Sequence, residues 1–534
     1  MSDDPFSNDG FSVVPGLLDA QEVQEARHVL GSMPKVTPCI WDKELAASSA
    51  NFHHLATHPR ILELLRPLLG ENIILWGACY LERVPGQVHP WHTDIESSRP
   101  EGGFVTVWIG LEGTNQASSL KLVPGTHKLG RTLQECMQIH DKNRETTTDA
   151  DVESWAGELA QDSSKIVQPD VTDGDAIVFD GRLWHGSSND NKTEVRRSLI
   201  FQYAVADAPV FVPDFSHLEW PFKLFTHPRP PCIAVSGEAD NHANVLAEAP
   251  PQLGQGKDRL ESAVHRIDPD LAIEEGKIIR QRHLLLGATP NMPHLSSHFS
   301  VLAPGQRPHP PHTHVEEEIL IVLRGKAELS CADETGAMTP HEVTAGDFVY
   351  YPAFHRHTIS NPGTEPVVYL MFKWLAFRET VHSALPHQLG RVDRLEDESL
   401  GEQGFQTREC FGEASHHLKK FHAHISTLLP DGGYAEHCDE HDIAIIVTEG
   451  EIKTLDTTIR AGEMVWITAG DPHGMENPGD QPARYLVLEF HGENCSGDYA
   501  KFEQREARKR KKLLKGRSPK RVLRNIRRLF GVKS

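Results

Sequence analysis

The stretch PGQVHPWHTD, residues 85–94, decides how the N-terminal part of the chain is interpreted. It places His92 and Asp94 two residues apart, and His185 follows later within WHGS, residues 184–187. Two imidazoles and one carboxylate occupy one face of a six-coordinate ferrous ion and leave three positions open, as in non-haem iron oxygenases. These residues therefore indicate oxygen chemistry.

A pair of arginines, Arg196 and Arg197, follows the second histidine. A guanidinium group can bind the far carboxylate of a keto-acid co-substrate through two parallel hydrogen bonds. If the pair lies on a strand, the two side chains point to opposite faces, so only one of them can take this role. The alternative, which we rank second, is that Arg196 forms a surface salt bridge.

The order of the motifs resembles that of the phytanoyl-CoA dioxygenase family over the whole N-terminal segment. The motifs are PGQVHPWHTD, VPGTHK at residues 123–128, GDAIVF at residues 174–179, WHGS and the arginine. The resemblance implies a double-stranded β-helix that depends on iron(II) and 2-oxoglutarate. By position, it makes His92, Asp94 and His185 the iron ligands and Arg196 the residue that holds 2-oxoglutarate. Related halogenases lack the carboxylate, so Asp94 favours hydroxylation.

Local patterns predict the elements of this segment. Asp19 and Glu22 have the spacing of a capping box that begins a helix, and Pro59 opens a second helix that ends at Gly70. Residues 228–257 are rich in Pro, Ala and Gly and are predicted to be a linker. The predicted strands are residues 11–14, 73–83, 104–111, 176–179 and 197–204.

The second half of the chain contains an internal repeat. The segment that begins with GDFVYY, residues 346–351, recurs from GEMVWI, residues 462–467, with nine identical positions at an offset of 116 residues. Upstream, His312 recurs as His437 at an offset of 125 residues. A fixed offset over so many identities predicts two copies of one β-rich fold.

The first copy follows both motifs of the cupin family, and the pair of copies resembles a bicupin over about residues 258–492. The departures are one extra residue before His312 and Phe354 where the motif prefers glycine. Three imidazoles and one carboxylate suit Fe, Mn, Ni, Cu or Zn, so the resemblance implies a second divalent metal in this copy. The ligands that it implies are His312, His314, Glu318 and His357.

The second copy keeps only part of the motif. His437 and His473 persist, but Asp439 replaces the second histidine and Ile443 replaces the glutamate. We count His437 and His473 as candidate metal ligands, while an empty, structural or ligand-binding copy is equally compatible with the sequence. The residues that would complete a site are Asp439, His441 or Asp442.

Composition and charge indicate a cytoplasmic protein with a basic tail. The start of the chain lacks a secretory signal pattern, and the eight cysteines form no C-x-x-C pair, which is typical of reduced thiols. The net charge is −21, although residues 501–534 hold 15 Lys/Arg against 2 Glu. The acidic body argues against nucleic-acid binding by charge alone. The tail predicts an amphipathic helix on an anionic membrane surface or another polyanion, with a solvated tail as the alternative.

The predicted fold is mainly β, with three double-stranded β-helix (jelly-roll or cupin) barrels in series, N-terminal helices and a basic C-terminal helix. The predicted divisions are an oxygenase domain (1–227), a linker (228–257), the first cupin copy (258–378), a connector (379–420), the second cupin copy (421–492) and a tail (493–534).

We expect a dioxygenase that hydroxylates a small organic or lipid-like substrate with O2, iron(II) and 2-oxoglutarate. Glycans, secondary metabolites and lipids all remain open as substrates. One alternative is a bifunctional enzyme with a second metal-dependent activity in the cupin. Another is a ligand-sensing bicupin with an accessory oxygenase domain. Cupins often pair through their sheets, which allows a homo-oligomer.

Overall fold

The computed structural model describes ten segments of the chain, and its fold is mainly β, as predicted. The predicted basic helix of the tail lies outside the described residues. No helix in the described segments is long and apolar enough to cross a membrane, and no disulfide joins the cysteines placed there. The described segments are residues 5–32, 43–94, 101–161, 164–210, 230–239, 242–253, 259–333, 336–378, 384–392 and 405–496.

The N-terminal unit combines helices with two sheets. Its helices are α1 (Pro5–Asp9), α2 (Ala20–Ser32), α3 (Leu45–Ser48), α4 (Ala50–Ala56), α5 (Pro59–Leu69), α6 (Leu133–Ile139) and α7 (Asp149–Ala160), with 3-10 turns at Gln116–Ser118 and Thr126–Lys128. Its strands are β1 (Phe11–Val14), β2 (Ile73–Arg83), β3 (Val88–His92), β4 (Phe104–Glu112), β5 (Leu120–Leu122), β6 (Ala176–Asp180), β7 (His185–Ser188), β8 (Arg196–Val205), β9 (Pro231–Ser236) and β10 (Val245–Leu246).

The two sheets of this unit pack through a shared core. The larger sheet has the order β1-β6-β4-β8-β2-β9-β10, and the smaller has the order β3-β7-β5. Trp108 and Ile177 of the larger sheet lie in one buried cluster with Leu122 of the smaller sheet. The predicted capping box is also present, because Asp19 and Glu22 each accept a hydrogen bond from the other's backbone N–H.

The predicted linker differs from the observed structure. Strand β9 pairs with β2, and β10 pairs with β9, so part of residues 228–257 extends the sheet of the N-terminal unit. The prolines suggested a linker, but Cys232 and Ile233 are apolar and bury against this sheet. Burial of these side chains outweighed the loop-forming composition.

The second half consists almost entirely of strands. Those up to residue 391 are β11 (Ala263–His265), β12 (Ile279–Gly287), β13 (His294–Leu302), β14 (Glu317–Arg324), β15 (Lys326–Ala332), β16 (Met338–Thr344), β17 (Asp347–Tyr351), β18 (His357–Ser360), β19 (Val367–Leu375) and β20 (Gln388–Arg391). The remainder are β21 (Phe405–Glu413), β22 (Lys420–Leu428), β23 (Gly433–His437), β24 (Asp442–Glu449), β25 (Glu451–Thr454), β26 (Thr457–Arg460), β27 (Met464–Ile467), β28 (His473–Glu476) and β29 (Ala483–His491).

The two copies exchange their edge strands. The first copy has sheets β12-β13-β19-β14-β17-β20 and β16-β15-β18, and the second has β11-β27-β24-β29-β22-β21 and β23-β28-β25-β26. Strand β11 lies within residues 258–378, which were predicted as the first copy, but it pairs with β27 of the second copy. Strand β20, from the predicted connector at 379–420, pairs with β17 of the first copy. The connector is therefore partly sheet, and the large sheets of both copies share one core.

The N-terminal unit also packs on the first cupin copy. Val315, Phe354 and Leu375 of that copy belong to the same buried cluster as the core of the N-terminal unit. The backbone of Ala247 forms a parallel bridge with Thr313. Side-chain and backbone contacts therefore join the two units.

Phe354 shows why the cupin motif prefers glycine at this position. Its φ is +60°, in the left-handed region that is unfavourable for a residue with a side chain. The ring is buried in the cluster shared with the N-terminal unit. Packing of a large aromatic side chain offsets the backbone strain.

Replacement of Phe354 tests this balance. Phe354→Ala removes the packing and keeps the strain, so we expect a loss of about 3 kcal/mol. Phe354→Gly removes both the packing and the strain, so it should be more stable than the alanine variant by roughly 1 kcal/mol. It should therefore unfold at a higher temperature than the alanine variant. Differential scanning calorimetry measures the difference. An alanine variant as stable as the wild type would show that the ring contributes nothing.

Candidate metal centres

The first candidate centre is built by the pairing of two short strands. His92 ends β3 and His185 begins β7, and the register places them opposite each other. The backbone N–H of Asp94 donates to the carbonyl of Gly181, which turns the carboxylate towards the histidines. Its Oδ1 lies 4.0 Å from Nε2 of His92 and 3.9 Å from Nε2 of His185. The three ligand-type atoms that the sequence predicted are thus brought together.

Hydrogen bonds fix how these side chains face the centre. Nδ1 of His92 donates to the carbonyl of Pro90 (2.9 Å), and Nδ1 of His185 donates to the carbonyl of Leu183 (2.8 Å). Both Nε2 atoms are therefore left as acceptors for a metal. The hydroxyl of Thr106 donates to Oδ2 of Asp94 (2.8 Å), which leaves Oδ1 towards the histidines.

Burial keeps the two histidines in the form that binds metal. All three side chains of the centre are buried. Burial, together with the neighbouring His185 and His89, lowers the pKa of His92 well below its usual value. Burial also lowers the pKa of His185, although Asp94 opposes the shift. Neutral imidazoles beside a carboxylate fit a divalent iron site.

Two buried tryptophans, one directly before each histidine, anchor the two histidine strands. Trp91 and Trp184, which directly precede the histidines, lie in one buried cluster with residues of α6 and α7. Nε1 of Trp91 donates to the carboxylate of Asp149 (2.8 Å), and Nε1 of Trp184 donates to the carbonyl of Arg131 (3.1 Å). Helices α6 and α7 therefore support the centre.

The centre opens into a cavity of about 320 Å³, and Arg196 lines the same cavity. Arg196 is 1% exposed, and its Nη1 donates to the carbonyl of Ser118 (3.1 Å). Its Nε has no hydrogen-bond partner in the described structure. Burial and the neighbouring Arg83 lower the pKa of Arg196 to about 10, so it is still charged at neutral pH. A buried, incompletely paired guanidinium fits an anionic ligand.

Arg197 lies on the opposite face of β8. It forms ion pairs with Glu82 (2.9 Å) and Glu112 (2.6 Å), both of them partly exposed. The alternating directions of a strand therefore separate the two arginines as expected. The surface salt bridge that was the alternative role for Arg196 is formed by Arg197 instead.

Further cations lie around the cavity at positions that were not predicted as site residues. Arg83 lies opposite Arg196 in the register of β2 and β8, and Lys43 also lines the cavity. Arg144 is close enough to lower the pKa of His92. A sequence signal existed only for Arg83, because it ends a largely apolar strand that was predicted to stop there. The cavity is thus rich in positive charge.

The second candidate centre lies in the first cupin copy and contains all four predicted residues. Nε2 of His314 is 3.1 Å and Nε2 of His357 is 3.6 Å from Oε2 of Glu318. His312 lies opposite His357 in an antiparallel bridge, and all four side chains are buried. Burial lowers the pKa of His314 to about 4, so this imidazole is neutral. The donor set fits a divalent transition metal.

Glu248 joins this second centre, although its position in the predicted linker gave no signal for it. Its backbone N–H donates to the carbonyl of Thr313, beside the histidine motif. Its carboxylate lies 3.1 Å from Nε2 of His312 and 3.0 Å from Nζ of Lys373. Lys373 in turn lies 3.8 Å from Glu318. The segment that follows the N-terminal unit thus closes one side of the centre.

The second cupin copy brings His437, Asp439 and His473 together. Oδ2 of Asp439 lies 3.3 Å from Nε2 of His437 and 3.4 Å from Nε2 of His473. Asp442 points elsewhere and accepts hydrogen bonds from Thr289 and the backbone of Ala469. Of the residues considered for completing the site, Asp439 is therefore the one at the histidine pair.

The third of these residues, His441, belongs to a different group. Its ring stacks on His491 with centroids 4.0 Å apart, and its Nε2 lies 3.8 Å from Glu489. The buried side chain of Ile443 supplies no ligand at the position that Glu318 has in the first copy. The two copies therefore differ in the inner surface of their large sheets.

Three segments of the chain match known family models. Residues 6–199 match the family model described as phytanoyl-CoA dioxygenase, and residues 298–373 and 424–489 match the model described as cupin domain. Among solved structures, a putative glyoxylate-induced protein from Pseudomonas aeruginosa is 16% identical, with a TM-score of 0.35, and the match covers 45% of this chain and 94% of that one.

Two curated proteins are similar to part of this chain. Ectoine dioxygenase from Nocardia farcinica is 29% identical over 225 residues, which is 37% of this chain and 74% of that protein. A probable alpha-ketoglutarate-dependent hypophosphite dioxygenase from Stutzerimonas stutzeri is 28% identical over 165 residues, which is 29% of this chain and 53% of that protein. The chain therefore carries a domain that matches the phytanoyl-CoA dioxygenase family model, followed by domains that match the cupin model.

Proposed function

We propose that the N-terminal unit is an iron(II)- and 2-oxoglutarate-dependent hydroxylase. The observation that carries the proposal is the convergence of His92, Asp94 and His185 on the wall of a cavity that also contains the buried Arg196. Bound iron with 2-oxoglutarate would supply the activation of O2 that hydroxylates an unactivated C–H bond. The protein's contribution is the geometry of the ligands and a cavity that positions the substrate beside them.

Arg196 is the residue that we assign to the far carboxylate of 2-oxoglutarate. Its guanidinium is held by the carbonyl of Ser118 and by the ring of Trp108, 5.6 Å away, so little side-chain entropy is lost on binding. Because the group is already buried, a carboxylate that reaches it replaces no strong contact with water. Thr106 contributes by holding Asp94 in one orientation.

The charge of the cavity favours a small anionic or zwitterionic substrate. Lys43 and Arg83 line it in addition to Arg196, while Asp94 is the carboxylate among the lining residues. A volume of about 320 Å³ is at the low end for ligand cavities, which favours a small organic substrate over the lipid-like one. The relatives named for ectoine and hypophosphite agree with a small polar substrate.

The first cupin copy supports a second function, the binding of a divalent transition metal. The four buried side chains that converge there, His312, His314, Glu318 and His357, carry this proposal. A redox-active metal at this centre would favour the bifunctional enzyme. A chain that binds no metal there would favour the ligand-sensing alternative. Localisation, membrane contact of the tail and oligomeric state stay predictions.

The adjacent arginines give a matched test of the oxygenase proposal. We expect Arg196→Leu to weaken 2-oxoglutarate binding to the iron(II) protein about 30-fold or more, because a buried charged hydrogen bond is lost. Arg197→Leu removes surface ion pairs and should change the affinity by roughly twofold at most. Anaerobic titration, followed by the charge-transfer absorption of the complex, measures both. Equal effects of the two variants would contradict the assignment.

The hydrogen bond from Thr106 to Asp94 gives a second prediction. Thr106→Val keeps the shape of the side chain and removes the donor, so iron(II) affinity should fall about tenfold. Thr57→Val is the control, because it also loses a hydroxyl hydrogen bond, to the carbonyl of His53, but does not line the cavity. Competition with a chromophoric chelator measures the affinities. Indistinguishable values for Thr106→Val and the wild type would exclude an orienting role.

Metal content tests the proposal for the first cupin copy. After equilibration with a divalent transition metal, the His314→Ala/His357→Ala variant should hold one ion per chain fewer than the wild type, because two of four ligands are gone. Elemental analysis of gel-filtered protein counts the ions. If both proteins hold the same number, the centre does not bind metal and the sensing alternative gains support.

A further inference from the structure

We propose that the second cupin copy binds a divalent transition metal. The site lies one strand away from the position that the motif glutamate has in the first copy. The residues are His422, His424, His441, Glu489 and His491, which we call the Glu489 cluster. The cluster is separate from the His437–Asp439–His473 group. The first two histidines and the glutamate already lie close enough for their ligand atoms to share an ion.

The register of the first copy defines where the motif glutamate sits. Lys373 of β19 lies between Ser296 of β13 and Glu318 of β14. Glu318 belongs to the motif and contacts the histidines, while Lys373 forms an ion pair with it. Directly opposite residues on neighbouring strands share one face of the sheet. The first copy thus has a serine, a lysine and a glutamate in this row.

The same row of the second copy has a different set of side chains. Glu489 of β29 lies between His422 of β22 and Ile443 of β24. The carboxylate that is missing at Ile443 is therefore present one strand over, and an imidazole replaces the serine on the next strand. His424 follows His422 on the same face of β22. Compared with the first copy, the second copy thus has its carboxylate on β29 instead of β24 and an additional imidazole on β22.

This row faces the inside of the second copy. Tyr485 and Val487, which precede Glu489 at intervals of two residues, belong to the core between the two sheets. Leu428 continues the face of His422 and His424 and lies in the same core. The alternating directions of strand residues therefore place the cluster on the inner surface, where a buried charge needs a partner.

The distances fit a metal with several imidazole ligands. Glu489 Oε2 lies 2.8 Å from Nδ1 of His422, 3.0 Å from Nε2 of His491 and 3.8 Å from Nε2 of His441. Its Oε1 lies 3.7 Å from Nδ1 of His424. Ligand atoms of a tetrahedral ion with bonds of about 2.0–2.1 Å are roughly 3.3 Å apart, and these distances bracket that value. Imidazole-rich sets suit Zn, Ni, Cu and Fe.

Hydrogen bonding alone does not account for the cluster. His422 and His491 can each donate to Glu489, but Nδ1 of His424 is buried and has no hydrogen-bond partner in the described structure. An unpaired buried nitrogen costs free energy that a metal bond would recover. The side chains of His422 and Glu489 are 15% and 18% exposed, so an ion can reach the cluster.

Zinc content of the full-length protein tests the proposal. Chelator-stripped protein is equilibrated with Zn²⁺, freed of unbound ion by gel filtration and analysed for zinc. We expect His422→Asn/His424→Asn to hold one ion per chain fewer than the wild type. The matched variant His437→Asn/His473→Asn removes the motif histidines of the same copy and should keep that ion. Circular dichroism and unfolding of the stripped proteins check that both variants fold.

Zinc content of His422→Asn/His424→Asn equal to that of the wild type would overturn the proposal. So would a single ion lost equally by both double variants and by their combination, because one shared ion would then occupy the motif position. If the double variant does not fold, Glu489→Gln decides, since it keeps the shape of the side chain. Zinc affinity at least about tenfold weaker supports the cluster, and unchanged affinity excludes it.

Discussion

The arrangement on which the rest of the structure depends is a pair of histidines placed opposite each other across two antiparallel strands. It recurs in the N-terminal unit and in both cupin copies, each time with a further ligand-type residue two positions after the first histidine. The pairs are His92 with His185, His312 with His357, and His437 with His473. The register of the two strands sets the separation of the two rings.

A backbone hydrogen bond completes this arrangement. In all three pairs, Nδ1 of each histidine bonds to the carbonyl two residues before it. This contact fixes the tautomer and leaves Nε2 facing the centre. A short motif and the correct register are therefore enough to bring ligand-type side chains together, and substitutions around the motif change which side chains meet there. Ile443 and Glu489 are an example of such a change.

Much of this was predictable from the sequence because the signals are local or periodic. The strand at Ile73–Arg83 was predicted with the observed bounds, since its apolar run ends at a charged residue. The repeat offset anticipated equivalent strands in the two copies. The roles of Glu248 and Glu489 were not predictable, because they depend on which segment docks on the histidine strand and on which residues meet across strands. The pairing of β11 with the second copy and of β20 with the first copy was not predictable either, because it depends on tertiary packing.

The oxygenase cavity shows why composition gives little information about a site. The described part of the chain is acidic as a whole, yet the cavity collects Lys43, Arg83 and Arg196. Burial of these cations is costly, and anionic ligands would offset that cost. Arg196 and Arg197, adjacent in sequence, have different environments because Arg196 faces the cavity and Arg197 pairs with exposed carboxylates.

Succinate formation by the purified full-length protein, given iron(II), 2-oxoglutarate and O2 without added substrate, tests the central claim most directly. Uncoupled turnover does not require the substrate to be known. The account predicts slow succinate release that disappears in His92→Ala, because one of three iron ligands is lost. Absence of succinate from the wild type, or equal release by the variant, would contradict the assignment of His92, Asp94 and His185 as the catalytic iron site.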